Sequence, residues 1–144
     1  MPAKLCLGCA VLVAMVTVSA VNGAEWGLKK GNADLKSAGP LAFGPDGILL
    51  VGDVKAATVF AIDTGDASGD PGKVSYNIKG LNEKVADALG AGSQSVTIND
   101  VIVNPASGNV YISASANEKA AIVRVDASGA LSQVTLEGVG VAKV

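Results

Sequence analysis

The chain has 144 residues, a formal net charge of −2, and 49% hydrophobic residues. It contains no histidine, which excludes histidine-based catalytic triads, histidine general bases and ordinary zinc-hydrolase sites. No basic patch stands out, so we do not expect nucleic acid as a partner.

The first 24 residues have the layout of a secretory signal peptide. One positive charge, Lys4, precedes an apolar run over residues 5–18, and small residues follow at Ser19, Ala20, Gly23 and Ala24. The run is about 14 residues long, shorter than the roughly 20 that a membrane span needs. We therefore expect residues 1–24 to be removed. The mature protein is then expected to be secreted or periplasmic and not attached to a membrane.

Both cysteines, Cys6 and Cys9, lie inside this segment. The mature chain of roughly 120 residues, one ordinary domain, then has no disulfide and must bury an apolar core of its own. Loss of Lys4 changes its formal charge from −2 to −3.

After the signal, the pattern predicts two units of four short strands each. The first unit has predicted strands at residues 40–43, 48–52, 58–62 and 73–78, and the second at 96–103, 110–114, 121–125 and 131–136. These runs are rich in β-branched residues and are bounded by Gly, Asp and Asn. The 48–52 run is apolar throughout rather than alternating, which predicts that both of its faces are covered.

The connector between the units, residues 81–95, predicts a short helix. Asn82 is the expected N-cap and Gly90 the expected end, while Leu81, Val85 and Leu89 fall on one face. An irregular loop is the alternative.

The two units align as an internal repeat with a period of about 60 residues. Matching segments are Phe43-Gly44-Pro45 with Val103-Asn104-Pro105, Leu49-Leu50-Val51 with Val110-Tyr111-Ile112, and Ile62-Asp63 with Val125-Asp126. A period of this size with four strands per unit is typical of β-propeller blades. The alignment places residues 140–144 just past the last strand, where a new connector would begin.

The stretch from Ala38 to Asp53 resembles a blade of the propeller superfamily that includes NHL-repeat and gluconolactonase/regucalcin-like proteins, and residues 108–126 are similar to YVTN-type blades. The resemblance implies an all-β fold of two four-stranded antiparallel blades, at about 38–80 and 96–137, with a short helix in the interblade connector. In the lactonase-like enzymes a metal-ligating glutamate typically stands where this chain has Ala38. The resemblance therefore implies the fold and weakens a metal-dependent lactonase interpretation.

Propeller ligands usually sit at the end that holds the loops between second and third strands and the interblade connectors. Because alternate loops of an antiparallel blade lie at opposite ends, the candidate ligand-binding residues are Asp53, Lys55, Asn117, Glu118 and Lys119. Solvated loop residues are the alternative interpretation of all five. No catalytic residue, metal ligand or cofactor is assigned.

Asp63, Asp66 and Asp70 lie close together in residues 63–72, which raises the alternative of a calcium loop. Their spacing does not fit the EF-hand pattern, and its final glutamate is missing, so a turn is predicted and Asp66→Ala is expected to cost little stability.

Trp26, the sole tryptophan, is predicted to pack the amino-terminal arm onto the first blade, with carbohydrate stacking as the alternative.

These observations favour a non-catalytic exported propeller module that binds a protein, glycan or small ligand through one loop face. The alternative is a lactonase-like propeller hydrolase acting on a small molecule in the axial channel.

Closed propellers have roughly four to eight blades, so two blades leave open faces. We expect either a longer propeller, of which this is the amino-terminal part, or oligomerisation that covers those faces.

Overall fold

A computed structural model describes residues 26–144 of the chain. The predicted signal peptide and both cysteines lie outside the described residues. Within them the chain forms two antiparallel sheets and one α-helix, so the all-β prediction is confirmed. No helix in this described part is both long and apolar enough to cross a membrane.

The strands of the first sheet come from both ends of the described chain. They are β1 (Lys29–Gly31), β2 (Leu41–Phe43), β3 (Ile48–Asp53), β4 (Thr58–Asp63) and β9 (Val139–Lys143), in the order β1-β9-β4-β3-β2. The second sheet contains β5 (Val96–Val103), β6 (Val110–Ala116), β7 (Lys119–Val125) and β8 (Leu131–Gln133), in sequence order. The second unit thus has the predicted four strands, while the first sheet has five.

The predicted strand at residues 73–78 is wrong. The structure has a single 3-10 turn at Pro71–Lys73 and no strand after it before the helix. Tyr76 and Ile78 pack against the core of the second sheet instead, and the Tyr76 hydroxyl donates a hydrogen bond to the Gly108 carbonyl at 2.8 Å. The apolar residues that suggested a strand are therefore buried against the other unit.

Strand β9 occupies the position left empty by that missing strand. Ile62 of β4 pairs with Val141, and Val141 pairs on its other side with Lys29 of β1. The expectation that residues 140–144 begin a new connector is therefore wrong. The first sheet is completed by a strand far away in sequence rather than by its own repeat unit.

The predicted connector helix is present as α1 (Leu81–Leu89). Gly90 ends it in the left-handed conformation, with φ at 63°, where glycine carries no side-chain penalty. The N-cap is Gly80 rather than Asn82. The Asn82 side chain instead donates to the Ser93 carbonyl at 2.8 Å, which ties the helix to the turn that follows it.

The two sheets pack face to face, and α1 covers the far side of the second sheet. The inter-sheet core is formed mainly by apolar residues of the first sheet and by two of the second: Leu41, Leu49, Val51, Phe60, Ile62, Tyr111 and Ile122. Under the helix, Val85 and Ala86 contact a cluster from the second sheet: Ile112, Ala114, Val123 and Val125. Burial of each large apolar side chain contributes about 1.5–3 kcal/mol.

The opposite face of the first sheet is open in the described part of the chain. Leu50 lies between Ala42 and Ala61 in the strand register, and Ala61 faces Ala142. Leu50 is half-buried, Ala42 is exposed, and the neighbouring Val59 is 47% exposed. The prediction that both faces of residues 48–52 are covered therefore holds at Leu49 and Val51 on one face and at Ile48, 7% exposed, on the other, but fails at Leu50.

The beginning of the described chain contacts a turn of the first sheet. The indole Nε1 of Trp26 donates to a carboxylate oxygen of Asp46 at 3.1 Å, while the ring is 49% exposed. This is the predicted contact of the amino-terminal arm with the first unit.

Candidate cavity at one end of the first sheet

The segment that joins β1 to β2, residues 32–37, runs lengthwise along the side of the first sheet that faces the second. Its start is held by Asn32, whose side-chain oxygen accepts a hydrogen bond from the Gly138 N–H at 3.0 Å, and by the Ala33 N–H, which donates to the Leu136 carbonyl at 2.8 Å. Ala33 and Leu35 pack into the inter-sheet core. Polar residues 32, 34 and 36 alternate with these apolar ones.

Asp53 holds the other end of the 32–37 segment. Its carboxylate accepts hydrogen bonds from the Lys36 N–H at 2.6 Å, the Ser37 N–H at 3.0 Å, the Ser37 hydroxyl at 2.7 Å and the Ala56 N–H at 3.0 Å. Burial alone raises the pKa of the Asp53 carboxyl, but these hydrogen bonds outweigh it and hold the pKa below its usual value. Asp53 therefore positions two loops, and its oxygens are already occupied.

A cavity of about 460 Å³ lies between the 32–37 segment and strands β4 and β9 of the first sheet. Its floor includes Phe60, which is 6% exposed, and its wall carries three exposed charged residues, Lys36, Lys143 and Asp34. The remaining lining residues are Asn32, Ala56, Thr58, Val141 and Ala142. Binding sites for small molecules commonly measure about 300–1,000 Å³ and combine an apolar floor with a few polar groups. This cavity has that composition.

The cavity lies at the sheet end that the sequence predicted for ligand binding. Lys55, a predicted contact residue, is exposed beside Ala56, and its N–H donates to the Ser37 hydroxyl at 3.1 Å. Its predicted neighbour Asp53 is only 1% exposed. One predicted residue is therefore next to the cavity, while the other supports its wall from behind.

The remaining predicted residues form the hairpin between β6 and β7. Asn117 and Glu118 have φ of 50° and 65°, the conformation of a tight primed turn, and both are exposed, as is Lys119. The next residue, Ala120, lines another cavity of about 460 Å³, on the second-sheet side of the 32–37 segment. Asp34 lines both cavities. No hydrogen bond in the described chain joins this hairpin to the loop that carries Lys55.

Sequence reasoning missed the cavity residues Asn32, Asp34, Lys36 and Lys143. The alternation of polar and apolar residues from Asn32 to Lys36 is a signal of an extended, half-buried segment, and it could have identified the first three of these residues. Lys143 had no such signal, because its strand was not expected to join the first sheet.

The predicted turn at residues 63–72 is docked onto the second unit by Asp66. One carboxylate oxygen accepts hydrogen bonds from the Ser107 hydroxyl at 2.8 Å, the Asn109 amide at 3.0 Å and the Tyr111 hydroxyl at 3.0 Å. Burial raises the pKa of Asp66, but these bonds outweigh that effect and lower the pKa overall. Burial likewise raises the pKa of Tyr111, to about 12. The expectation that Asp66→Ala costs little must be revised.

Backbone packing reinforces this docking. Gly47 has φ of +75°, and a side chain there would clash with the Asp66 carbonyl. That carbonyl also accepts a hydrogen bond from the Asn104 side chain at 2.7 Å. Among the described residues, no group of three or more His, Cys, Asp or Glu side chains is arranged to hold a metal ion.

A second set of polar contacts joins the sheets along β2 and β5. The Asn99 amide donates to the Ala38 carbonyl at 2.7 Å, the Leu41 N–H donates to an Asp100 carboxylate oxygen at 2.8 Å, and the Ser113 hydroxyl donates to the Gly39 carbonyl at 2.7 Å. Ala38, the position where the resemblance places a metal-ligating glutamate, is completely buried. These polar residues bind the two units to each other.

Comparisons of the chain with family models, with curated proteins and with solved structures found no match.

Proposed function

We propose that the protein is an exported, non-catalytic module of two propeller-like units that binds a small polar ligand in the cavity between the 32–37 segment and the first sheet. The observation that supports this most directly is the cavity itself, about 460 Å³ in volume. It lies at the loop end that the antiparallel order of the strands favours. Two lysines, Lys36 and Lys143, outnumber the single carboxylate of Asp34 on its wall, which suits a ligand with a hydroxyl-rich or singly anionic group.

The way the two units contact each other supports the propeller-like interpretation. The first sheet uses the face with Leu49 and Val51, whereas the second uses the face with Tyr111, the repeat counterpart of Leu50. The units therefore meet through opposite faces, a head-to-tail arrangement like that of successive blades around an axis. Strand β9 and the helix that covers the second sheet are departures from a simple pair of blades.

The hydrogen bonds that three acidic residues accept favour a binding function over a catalytic one. The carboxylates of Asp53 and Asp66 each accept several hydrogen bonds that organise loops, and that of Asp126 does the same in the turn before β8. A general acid or base needs free access to a reacting group. These three residues act as anchors instead.

Nuclear magnetic resonance titration of the purified protein with a panel of neutral sugars, sugar acids and small organic acids tests the proposal. A ligand should shift the amide signals of Ala56, Thr58 and Lys143 in a saturable way. The double substitution of Lys36 and Lys143 by Gln should weaken binding of an anionic ligand about tenfold or more. Lys84→Gln, an exposed change on α1, is the matched control. The absence of any saturable shift at Ala56, Thr58 and Lys143 with every panel member would contradict the assignment of this cavity.

Enzyme assays address the alternative, a lactonase-like hydrolase. We expect no turnover of lactones with added calcium or manganese, and a rate that depends on the divalent metal would overturn the non-catalytic proposal. Export is tested separately by mass spectrometry of secreted material. The mature chain should begin between Val21 and Glu25, and a product that retains Lys4 would refute cleavage.

A further inference from the structure

A third cavity, of about 230 Å³, opens between the sheets at the end opposite the proposed ligand site. It lies where β4 ends and β9 begins, beside β7 and β8. The residues that matter chemically are Asp63, Arg124, Ser132, Thr135, Val134 and Val139. The volume is that of roughly eight water molecules at about 30 Å³ each, which is enough for a short organic ion.

Arg124 is the cation of this cavity. It stands on β7 opposite Tyr111 in the strand register, on the face that looks toward the first sheet, and it is half-buried. The ion pair found among the described residues joins Lys73 to Asp70 and does not involve Arg124. Asp66, which contacts Tyr111, already accepts three hydrogen bonds from neutral donors. Hydrogen bonds from Ser128 and Ala130 lower the pKa of the Asp126 carboxyl, and the positive charge of Arg124 adds to this effect. Arg124 and Asp126 form no ion pair in the described part of the chain, so the guanidinium is available to a ligand.

The chemistry of the wall narrows the class of ligand. A guanidinium presents a planar fork of donors that matches a carboxylate in two parallel hydrogen bonds. The Ser132 and Thr135 hydroxyls can donate further hydrogen bonds, and Val134 and Val139 offer apolar contact to a carbon chain. The negative charge of Asp63 disfavours an anion that carries two charges.

We propose that this cavity is a binding site for a monovalent carboxylate, with Arg124 as its principal ligand-binding residue. The site is independent of the cavity near Lys36, because the two lie at opposite ends of the sheets. The carboxylate can belong to a free short-chain acid or to the end of a peptide chain, and both present the same planar group.

Titration of the isotope-labelled protein, followed by nuclear magnetic resonance, tests the site with defined probes. Sodium propionate should shift the amide signals of Thr64, Ser132 and Thr135 saturably, and sodium sulfate at equal ionic strength should do so at least about tenfold more weakly. Acetyl-dialanine with a free carboxylate, compared with its amide, distinguishes a peptide end from a free acid. Binding of propionate but not of the peptide assigns the site to free acids, and binding of both assigns it to exposed carboxylates in general.

The variants decide whether Arg124 carries the binding. Arg124→Gln should weaken propionate binding at least about tenfold, and Arg124→Lys about threefold to tenfold, because an ammonium group lacks the planar fork. Lys84→Gln, an exposed change on α1, should leave it unchanged. If Arg124→Gln is not folded by circular dichroism, the Arg124→Lys comparison stands alone. Equal affinity in the Arg124 variants, sulfate binding as tight as propionate, or no saturable shift with either probe would each overturn the proposal.

Discussion

Replacement of Asp66 by Ala is expected to destabilise the protein by about 2–4 kcal/mol. The substitution removes the acceptor for hydrogen bonds from Ser107, Asn109 and Tyr111. Tyr111 is 1% exposed, so its hydroxyl would be left buried without this partner. Loss of a hydrogen bond to a charged group costs about 1.5–3 kcal/mol, but the three contributions are not additive. Asn109 is half-exposed and can bind water instead, which limits the total.

Urea denaturation at pH 7 measures this effect. Asp70→Ala is the matched control, because Asp70 lies in the same loop and is exposed and paired only with Lys73, at 2.8 Å. That change should cost less than about 1 kcal/mol. Adding Tyr111→Phe to Asp66→Ala should cost less than the sum of the single changes. A loss below about 0.5 kcal/mol for Asp66→Ala would refute the docking role, and a midpoint sensitive to chelator would restore the calcium alternative.

Three further predictions concern pH, the core and the open face. The pKa values of Asp53 and Asp66 are lowered in the folded protein. The stability that these two carboxylates contribute is therefore present above about pH 4 and is lost as the pH falls below it. Thermal melts between pH 2 and 6 should show this loss of stability, and the loss should be smaller in Asp66→Asn. The raised pKa of Tyr111, about 12, predicts a second loss between about pH 10 and 12. Phe60→Ala should cost about 3–5 kcal/mol in urea melts, and a cost under about 1 kcal/mol would contradict its burial. Size-exclusion chromatography with light scattering should show self-association that Val59→Lys weakens, whereas a strict monomer at high concentration would refute a need to cover that face.

The strands could be predicted because their signals are local. The second predicted strand of the first unit is present as Ile48–Asp53, and Val96–Val103 has the predicted bounds. What the sequence could not show is which distant segment pairs with β4. Residues 73–78 and Val139–Lys143 both contain apolar residues at a suitable spacing, and only packing of the complete chain decides between them. Tyr76 is held by the second unit, so β9 takes the place.

The direction of the strands predicted at which end of the first sheet the candidate ligand cavity lies, but the sequence did not predict what each residue there does. Asp53 stands at the end of a strand, a position that suits a ligand contact and a loop anchor equally well. Three of its four hydrogen-bond donors come from Lys36 and Ser37, so they are known only when the 32–37 segment is in place. Lys143 reaches the cavity because β9 crosses to the first sheet, a long-range event without a local signature.

The pairing of Ile62 with Val141 also governs when the protein can fold. Contacts so distant in sequence form slowly, since much of the chain must be ordered before they are made. A chain that lacks Val139–Lys143 leaves one edge of β4 without its partner, so the first sheet stays incomplete until this late segment arrives. Under the export proposed above, such a delay would keep the chain unfolded during its synthesis and complete the fold only after transit.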